Sequence, residues 1–235
     1  MAGKLYGVSV GPGDPELMTI KAKRLIEEAD VIVFPVRTSG EKSTALGIVK
    51  GALDISGKKV KELLFEMTSD KERRRSNYNE AVKDIVSFLE KDMTVAMIVL
   101  GDLSIFSTYM RINSDIKGRG FVTESIPGVT SFCDGAARAG VPLTMGNENL
   151  TVVPLVGNNE KIDEALNTGS NIVFMKASSS VRSISEKMSE RGLSIENATV
   201  ISNVGMEGQY IGPLDTSREY GYFTTVIVKR EGKKI

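Results

Sequence analysis

VSVGPGDPELMT, residues 8–19, joins a short apolar strand to a helical pattern, and this junction decides the fold class. The strand is expected over Leu5 to Val10. Gly11 and Gly13 let the backbone turn sharply and leave room for a ligand against the main chain. Asp14 is placed to cap the helix that follows, with Pro15 at its first position and Glu16 in its first turn. A strand, a glycine turn and a capped helix make up the unit that an open α/β sheet uses at its ligand crevice. Gly11-x-Gly13 also fits the start of a dinucleotide fingerprint, but Glu16 stands where the third glycine belongs. Asp14 and Glu16 put negative charge where a pyrophosphate would sit, so a cationic ligand suits this mouth better. A tight turn with a cap and no ligand is the alternative reading.

Composition narrows the chemistry. The 235 residues carry 30 basic and 30 acidic side chains, so no global charge favours nucleic acid or an anionic membrane. There is no histidine, which removes Ser-His-Asp and Cys-His catalysis and imidazole metal ligation. The one cysteine, Cys133, excludes an internal disulfide and a multi-cysteine zinc site. The N-terminal apolar run is too short for a signal peptide, and no apolar stretch reaches the roughly 18 residues of a membrane helix. A cytoplasmic protein without membrane or nucleic-acid partners is expected. Any catalysis must run on positioning, carboxylates, Lys, Tyr or a reactive cofactor.

Outward from the first turn, Ala22, Leu25, Ile26 and Ala29 recur at helical spacing. Val31-Ile32-Val33-Phe34 is a continuous apolar run, as in strands buried on both faces, and Pro35 is expected to stop it. A helix over Ser43 to Leu53 and a strand over Val60 to Phe65 follow. The charge run Ser69 to Arg75 reads as a solvated helix face, or as an arginine cluster for a polycarboxylate. Tyr78, Ala81, Val82, Ile85 and Leu89 continue as a packed face. A fourth strand, Thr94 to Leu100, ends in Gly101-Asp102-Leu103-Ser104-Ile105-Phe106-Ser107-Thr108, a second glycine-plus-acid turn. Two such turns in one sheet would face one crevice.

Phe121 to Ile126 reads as a fifth strand and Val129 to Ala139 as a helix, with Thr130 and Ser131 in its first turn and Gly140 as its C-cap. A second α/β unit follows. Its strands are expected at Leu150–Val156, Asn171–Met175, Ala198–Ser202 and Tyr222–Val228, with helices near Glu160–Leu166 and Val181–Arg191 and a short strand or turn over Gln209–Leu214. The Gly and Pro residues between Pro127 and Asn149 mark the boundary, giving domains at residues 1–126 and 127–235.

Five segments in this order, VSVGPGDPELMT (8–19), ADVIVFP (29–35), GDLSIFST (101–108), IPGVTSF (126–132) and GYFTTVIVK (221–229), resemble the tetrapyrrole methylases. These are the S-adenosylmethionine-dependent enzymes of the cobalamin and siroheme pathways. Within the family, GDLSIFST followed by Tyr109-Met110 resembles the GDP-x-x-YST turn of the precorrin-2 and cobalt-factor II carbon-20 methyltransferases. Tyr222-Phe223-Thr224 resembles their closing YFS-type strand. Pro35 stands where uroporphyrinogen methyltransferases carry an Asp.

The resemblance implies two α/β domains, the first with a mostly parallel sheet and the second with a mixed one, and a ligand cleft between them in a homodimer. It implies S-adenosylmethionine as methyl donor, no protein-bound metal, and precorrin-2 or cobalt-factor II as acceptor, methylated on the meso carbon C20. By position, Pro12 would border the cleft and Asp102 would face the cationic methionine end of the donor. Gly101, Leu103, Ile105 and Phe106 would contact it through backbone and apolar surface. Thr130 and Ser131 would reach it from their helix, and Met175 and Val204 would flank the adenosine. Leu103 departs from the family's Pro. No catalytic residue is assigned; Tyr222, Asp14 and Glu124 are proton acceptors on residue type alone, and solvent is another. Arg37 and Arg73 to Arg75 are candidates for the acceptor's carboxylates. Other acceptors, RNA or a modified protein histidine among them, keep the same fold and donor, and zero net charge disfavours RNA. A non-catalytic tetrapyrrole-binding module and a nicotinamide oxidoreductase are the readings from other classes.

Overall fold

The computed structural model describes residues 3–156 and 159–230. The chain divides into two compact units, with the division between Thr130 and Ser131, four residues beyond the position read from the Gly and Pro cluster.

The first unit holds five parallel strands, β1 (Lys4–Ser9), β2 (Val31–Val36), β3 (Lys59–Leu64), β4 (Thr94–Val99) and β5 (Val122–Ile126), in the order β3-β2-β4-β1-β5. Alternation sorts their side chains onto two faces. Val31, Val33, Val95 and Met97 join Leu5 beneath α3 (Lys71–Leu89) and α4 (Tyr109–Gly118). Ile32, Phe34, Ala96 and Ile98 join Val8 and Val10 beneath α1 (Ile20–Glu28) and α2 (Thr44–Ala52). Both faces are covered, which is why these strands read as unbroken apolar runs. The neighbours β1 and β4 send their helices, α1 and α4, to opposite faces. Their carboxyl ends therefore flank the switch point where open α/β sheets bind ligands.

The second unit contains α5 (Ser131–Ala139), β6 (Leu150–Pro154), α6 (Glu160–Leu166), β7 (Asn171–Met175), α7 (Val181–Glu190), β8 (Ala198–Ser202), β9 (Tyr210–Pro213) and β10 (Thr224–Val228). The sheet order is β6-β7-β10-β8-β9, with β6 and β7 parallel and β10 antiparallel to both its neighbours, a mixed sheet as expected. Ala198 and Val200 face the core under α6 and α7. On the opposite face α5 lies so close that a Cβ on Gly135 would come within 2.6 Å of Ile201.

Several local expectations change. Asp14 caps a single 3-10 turn over Pro15–Leu17, accepting Glu16 N–H at 3.0 Å, and not the long helix. Met18 is extended, and Thr19 caps α1 through Ala22 N–H at 3.1 Å. The turn is wedged on α2, where a Cβ on Gly51 would meet the Pro15 ring at 2.7 Å. β2 runs through Pro35 to Val36, because its pairing with β4 ends at Val33, and a missing N–H beyond that point interrupts no β4 ladder. The helix α4 was not read from the sequence, although Tyr109, Ile112 and Ile116 are fully buried along it at helical spacing. Thr130 precedes α5, whose first residue is Ser131. β10 begins at Thr224, so Tyr222 and Phe223 lie before the strand.

Candidate functional site

The two glycine-plus-acid turns are bonded to each other. Gly101 N–H donates to Gly11 O at 2.7 Å, and Gly11 N–H donates to Gly101 O at 3.3 Å, an antiparallel bridge just past the ends of β1 and β4. Both glycines sit at positive φ, +81° and +71°, a region that side-chain-bearing residues rarely enter. Ser9, fully buried at the end of β1, accepts Leu103 N–H at 2.9 Å through its Oγ. The turn after β5 closes the group. A Cβ on Gly128 would lie 2.5 Å from Ser9 Cβ and 2.7 Å from Gly101 O, so only glycine fits there. Neither Ser9 nor Gly128 was singled out from the sequence; the Pro127-Gly128 dipeptide at a strand end was the available signal.

Asp102 joins these turns. It is 8% exposed; its Oδ2 accepts Gly128 N–H at 2.7 Å, and its Oδ1 accepts both Ser104 N–H at 2.8 Å and the Ser104 hydroxyl. Burial pushes its pKa up, but the Ser104 hydroxyl and the Gly128 and Ser104 N–H donors outweigh this, and the net shift is downward. A carboxylate offers about four acceptor positions, so Oδ2 keeps room for roughly one more donor. The three segments 8–19, 101–108 and 126–132 contain Asp14, Glu16 and Asp102 and no Lys or Arg. An ionised, buried carboxylate among loops that hold no basic residue suits a sulfonium or an ammonium and repels a pyrophosphate.

The remaining predicted contacts of this unit differ in exposure. Pro12, Gly101 and Leu103 are buried, Ile105 and Thr130 half-buried, and Phe106 48% exposed. Phe106 also holds φ at +50°, a strained conformation for an aromatic residue and one that concentrates at ligand loops. In the second unit Ser131 opens α5 and is half-buried. Met175 ends β7 and pairs with Thr225, while Ser202 ends β8 and pairs with Thr224, so both exits lie along one end of that sheet. Each exit turns at a left-handed residue, Lys176 (φ +57°) and Asn203 (φ +51°). Val204, next after Asn203, is 3% exposed.

The candidate proton acceptors and cations have surroundings of their own. Asp14 is engaged in its cap, and Tyr222 lies before β10. Glu124, on β5, is held between Lys21 at 2.6 Å and Lys4 at 2.8 Å. The hydrogen bonds from these two ammonium groups lower its pKa from 4.5 to about 2, which makes it a weak base. Because the folded value lies below the unfolded one, the stabilisation is full above pH 4.5 and is lost as pH falls through about 2. Glu124 is a third exposed, so after solvent screening the effect is about 1 kcal/mol. Urea unfolding of Glu124→Gln should therefore differ from the parent at pH 6 and converge with it near pH 2. Arg37 is paired with Glu41, Arg73 donates to Glu66 at 2.9 Å, and Arg74 and Arg75 are exposed on α3.

The sequence pattern of the Tetrapyrrole (Corrin/Porphyrin) Methylases matches residues 4–216. The chain belongs to this family. The match takes in both turns, Gly128 and Asn203, and the tetrapyrrole-methylase pattern stops before β10. The cobalt-precorrin-2 C(20)-methyltransferase of Salmonella typhimurium is 31% identical over 235 residues, 98% of each chain. A probable cobalt-precorrin-2 C(20)-methyltransferase of Methanocaldococcus jannaschii is 36% identical over 186 residues, 79% of this chain and 76% of that one. The fold matches that of the uroporphyrin-III C-methyltransferase of Thermus thermophilus complexed with S-adenyl homocysteine, at a TM-score of 0.69 and 18% identity, covering 97% of this chain and 99% of that one.

Proposed function

We propose that this tetrapyrrole methylase transfers a methyl group from S-adenosylmethionine to C20 of precorrin-2 or cobalt-factor II. The observation that carries this reading is the similarity to the Salmonella typhimurium carbon-20 enzyme over 98% of both chains. The paired turns support the choice of donor, because a buried, ionised Asp102 in loops without Lys or Arg suits a cation. The assignments at Pro12, Gly101, Asp102, Leu103, Ile105, Phe106, Thr130, Ser131, Met175 and Val204 belong to the same proposal. S-adenosylmethionine supplies, when bound, a methyl group already activated on a sulfonium. The chain's part is to align and to dry the site. Asp102 offers a fixed negative end and Ile105 apolar surface, while Leu103, its side chain packed in the core, is left to contribute through its backbone. With Glu124 held ionised to about pH 2, the proton released from C20 passes to another group or to solvent.

Among the described residues no helix is long and apolar enough to cross a membrane. The homodimer rests on the family resemblance and is tested by light scattering of the purified protein; a cytoplasmic place without membrane or nucleic-acid partners rests on composition and charge. The activity is tested by anaerobic turnover with labelled S-adenosylmethionine and either acceptor. One methyl on C20, counted by mass spectrometry and located by carbon NMR, is the expected result, and the preferred acceptor assigns the pathway. Donor binding without transfer to either acceptor would overturn the carbon-20 reading and leave a binding role or another acceptor.

A further inference from the structure

The segment Gly221-Tyr222-Phe223-Thr224, which leads into β10, is gripped from both sides. Ala177 N–H donates to Thr224 O at 2.9 Å, and Asn203 N–H donates to Phe223 O at 3.0 Å. The Thr224 hydroxyl donates to Gly221 O at 2.6 Å and meets Ser202 Oγ at 3.0 Å, with Thr224 and Ser202 both buried. Of the two donors, Asn203 is itself a left-handed corner and Ala177 directly follows the other, Lys176. Non-glycine residues hold that conformation where the surrounding structure over-determines it. The backbone here is therefore fixed, yet its two aromatic side chains stay outside the core of their unit. Tyr222 is 41% and Phe223 37% exposed. They meet edge to face, with ring centres 5.2 Å apart and planes at 80°.

Two adjacent exposed aromatics on a rigid backbone form a surface with little conformational entropy left to lose on binding. Their chemistry suits a flat, conjugated, apolar face with polar groups at its rim. We propose that Tyr222 and Phe223 form a contact platform for the macrocycle face of the tetrapyrrole acceptor. The proposal rests on the function proposed above for the choice of ligand. It also assigns Tyr222 a binding role in place of proton transfer.

The test compares the parent with Tyr222→Ala, Phe223→Ala and Tyr222→Phe. Affinity for cobalt-factor II is read by absorbance titration in the presence of S-adenosylhomocysteine, which needs no turnover, and KM and kcat are read separately. Each alanine variant should weaken acceptor affinity and raise its KM about tenfold to hundredfold, the range for loss of one aromatic stacking partner. Affinity for S-adenosylmethionine and kcat should stay within about threefold of the parent, and Tyr222→Phe should bind like the parent. Unchanged acceptor affinity in both alanine variants would overturn the platform. So would a parallel loss of donor affinity, which marks a structural role, or a fall of kcat alone in Tyr222→Phe, which marks proton transfer. A parent that binds cobalt-factor II but methylates neither it nor precorrin-2 overturns the carbon-20 reaction and leaves the platform to stand or fall on the binding titration. A parent that binds neither cobalt-factor II nor precorrin-2 overturns the platform.

Discussion

Gly7→Ala should destabilise the first unit by about 3 kcal/mol or more, the upper range for forcing a methyl group into a packed core. A Cβ at Gly7 would sit 2.0 to 2.4 Å from three carbons of the Tyr109 ring. That ring is fully buried, and its hydroxyl lies at hydrogen-bond distance from Glu124 O at 3.3 Å and Ser125 Oγ at 3.1 Å. The strand cannot retreat either, because Gly7 is paired with Met97 on one side and Ser125 on the other. A domain's total stability is about 5–15 kcal/mol, so the change removes a large share of it. Urea unfolding would show the midpoint fall. The control is Gly118→Ala, where an added Cβ meets nothing within 4 Å; it should stay within about 0.5 kcal/mol of the parent. A Gly7→Ala loss below about 1 kcal/mol would show that the ring moves aside, against close packing of the core.

Asp102→Asn should weaken S-adenosylmethionine binding about a hundredfold, in line with truncating one member of a buried, hydrogen-bonded charge pair. The carboxylate accepts from Gly128 N–H and from Ser104 N–H and hydroxyl. An amide has one carbonyl oxygen for these donors, so its NH2 must face one of them. The negative charge that the proposed site would offer to the donor's cationic end is also lost. Stability should fall by about 1–3 kcal/mol, the range for an unsatisfied buried donor. Isothermal titration and thermal melts read the two effects separately. An Asn variant that melts lower but binds the donor within about threefold would restrict Asp102 to tying the turns together.

Residues 8–19 and 101–108 carried most of what could be read without coordinates. Glycine followed by an acid at a strand end states its own backbone requirement, and continuous apolar runs such as Val31 to Phe34 announce burial on both faces. The strands Asn171–Met175 and Ala198–Ser202 were legible to the residue, and the helix near Glu160–Leu166 in place, because local period and local burial coincide there. Asp14 was misassigned as the cap of the long helix because capping preference is local, whereas the wedge of Pro15 on α2 is a contact across about 35 residues of chain. The charge run around Arg73 was ambiguous for the same reason, since its pairing with Glu66 depends on how a loop meets a helix.

By itself the sequence determined the fold class, the two glycine-plus-acid turns, the absence of imidazole chemistry and the resemblance to tetrapyrrole methylases. All of these follow from residue type and short-range spacing. Only the tertiary structure decided that Gly11 and Gly101 bond to each other, that Asp102 holds Gly128 and Ser104, that Tyr109 demands a glycine at position 7, and that Tyr222 and Phe223 stand on a fixed backbone before β10. Apart from Asp102 with Ser104, two residues apart in one turn, these pairings join residues from 20 (Asn203 with Phe223) to 102 (Gly7 with Tyr109) positions apart, and strand register brings them together. No local preference encodes a register between strands; it is set when the sheet closes and the buried faces find their partners.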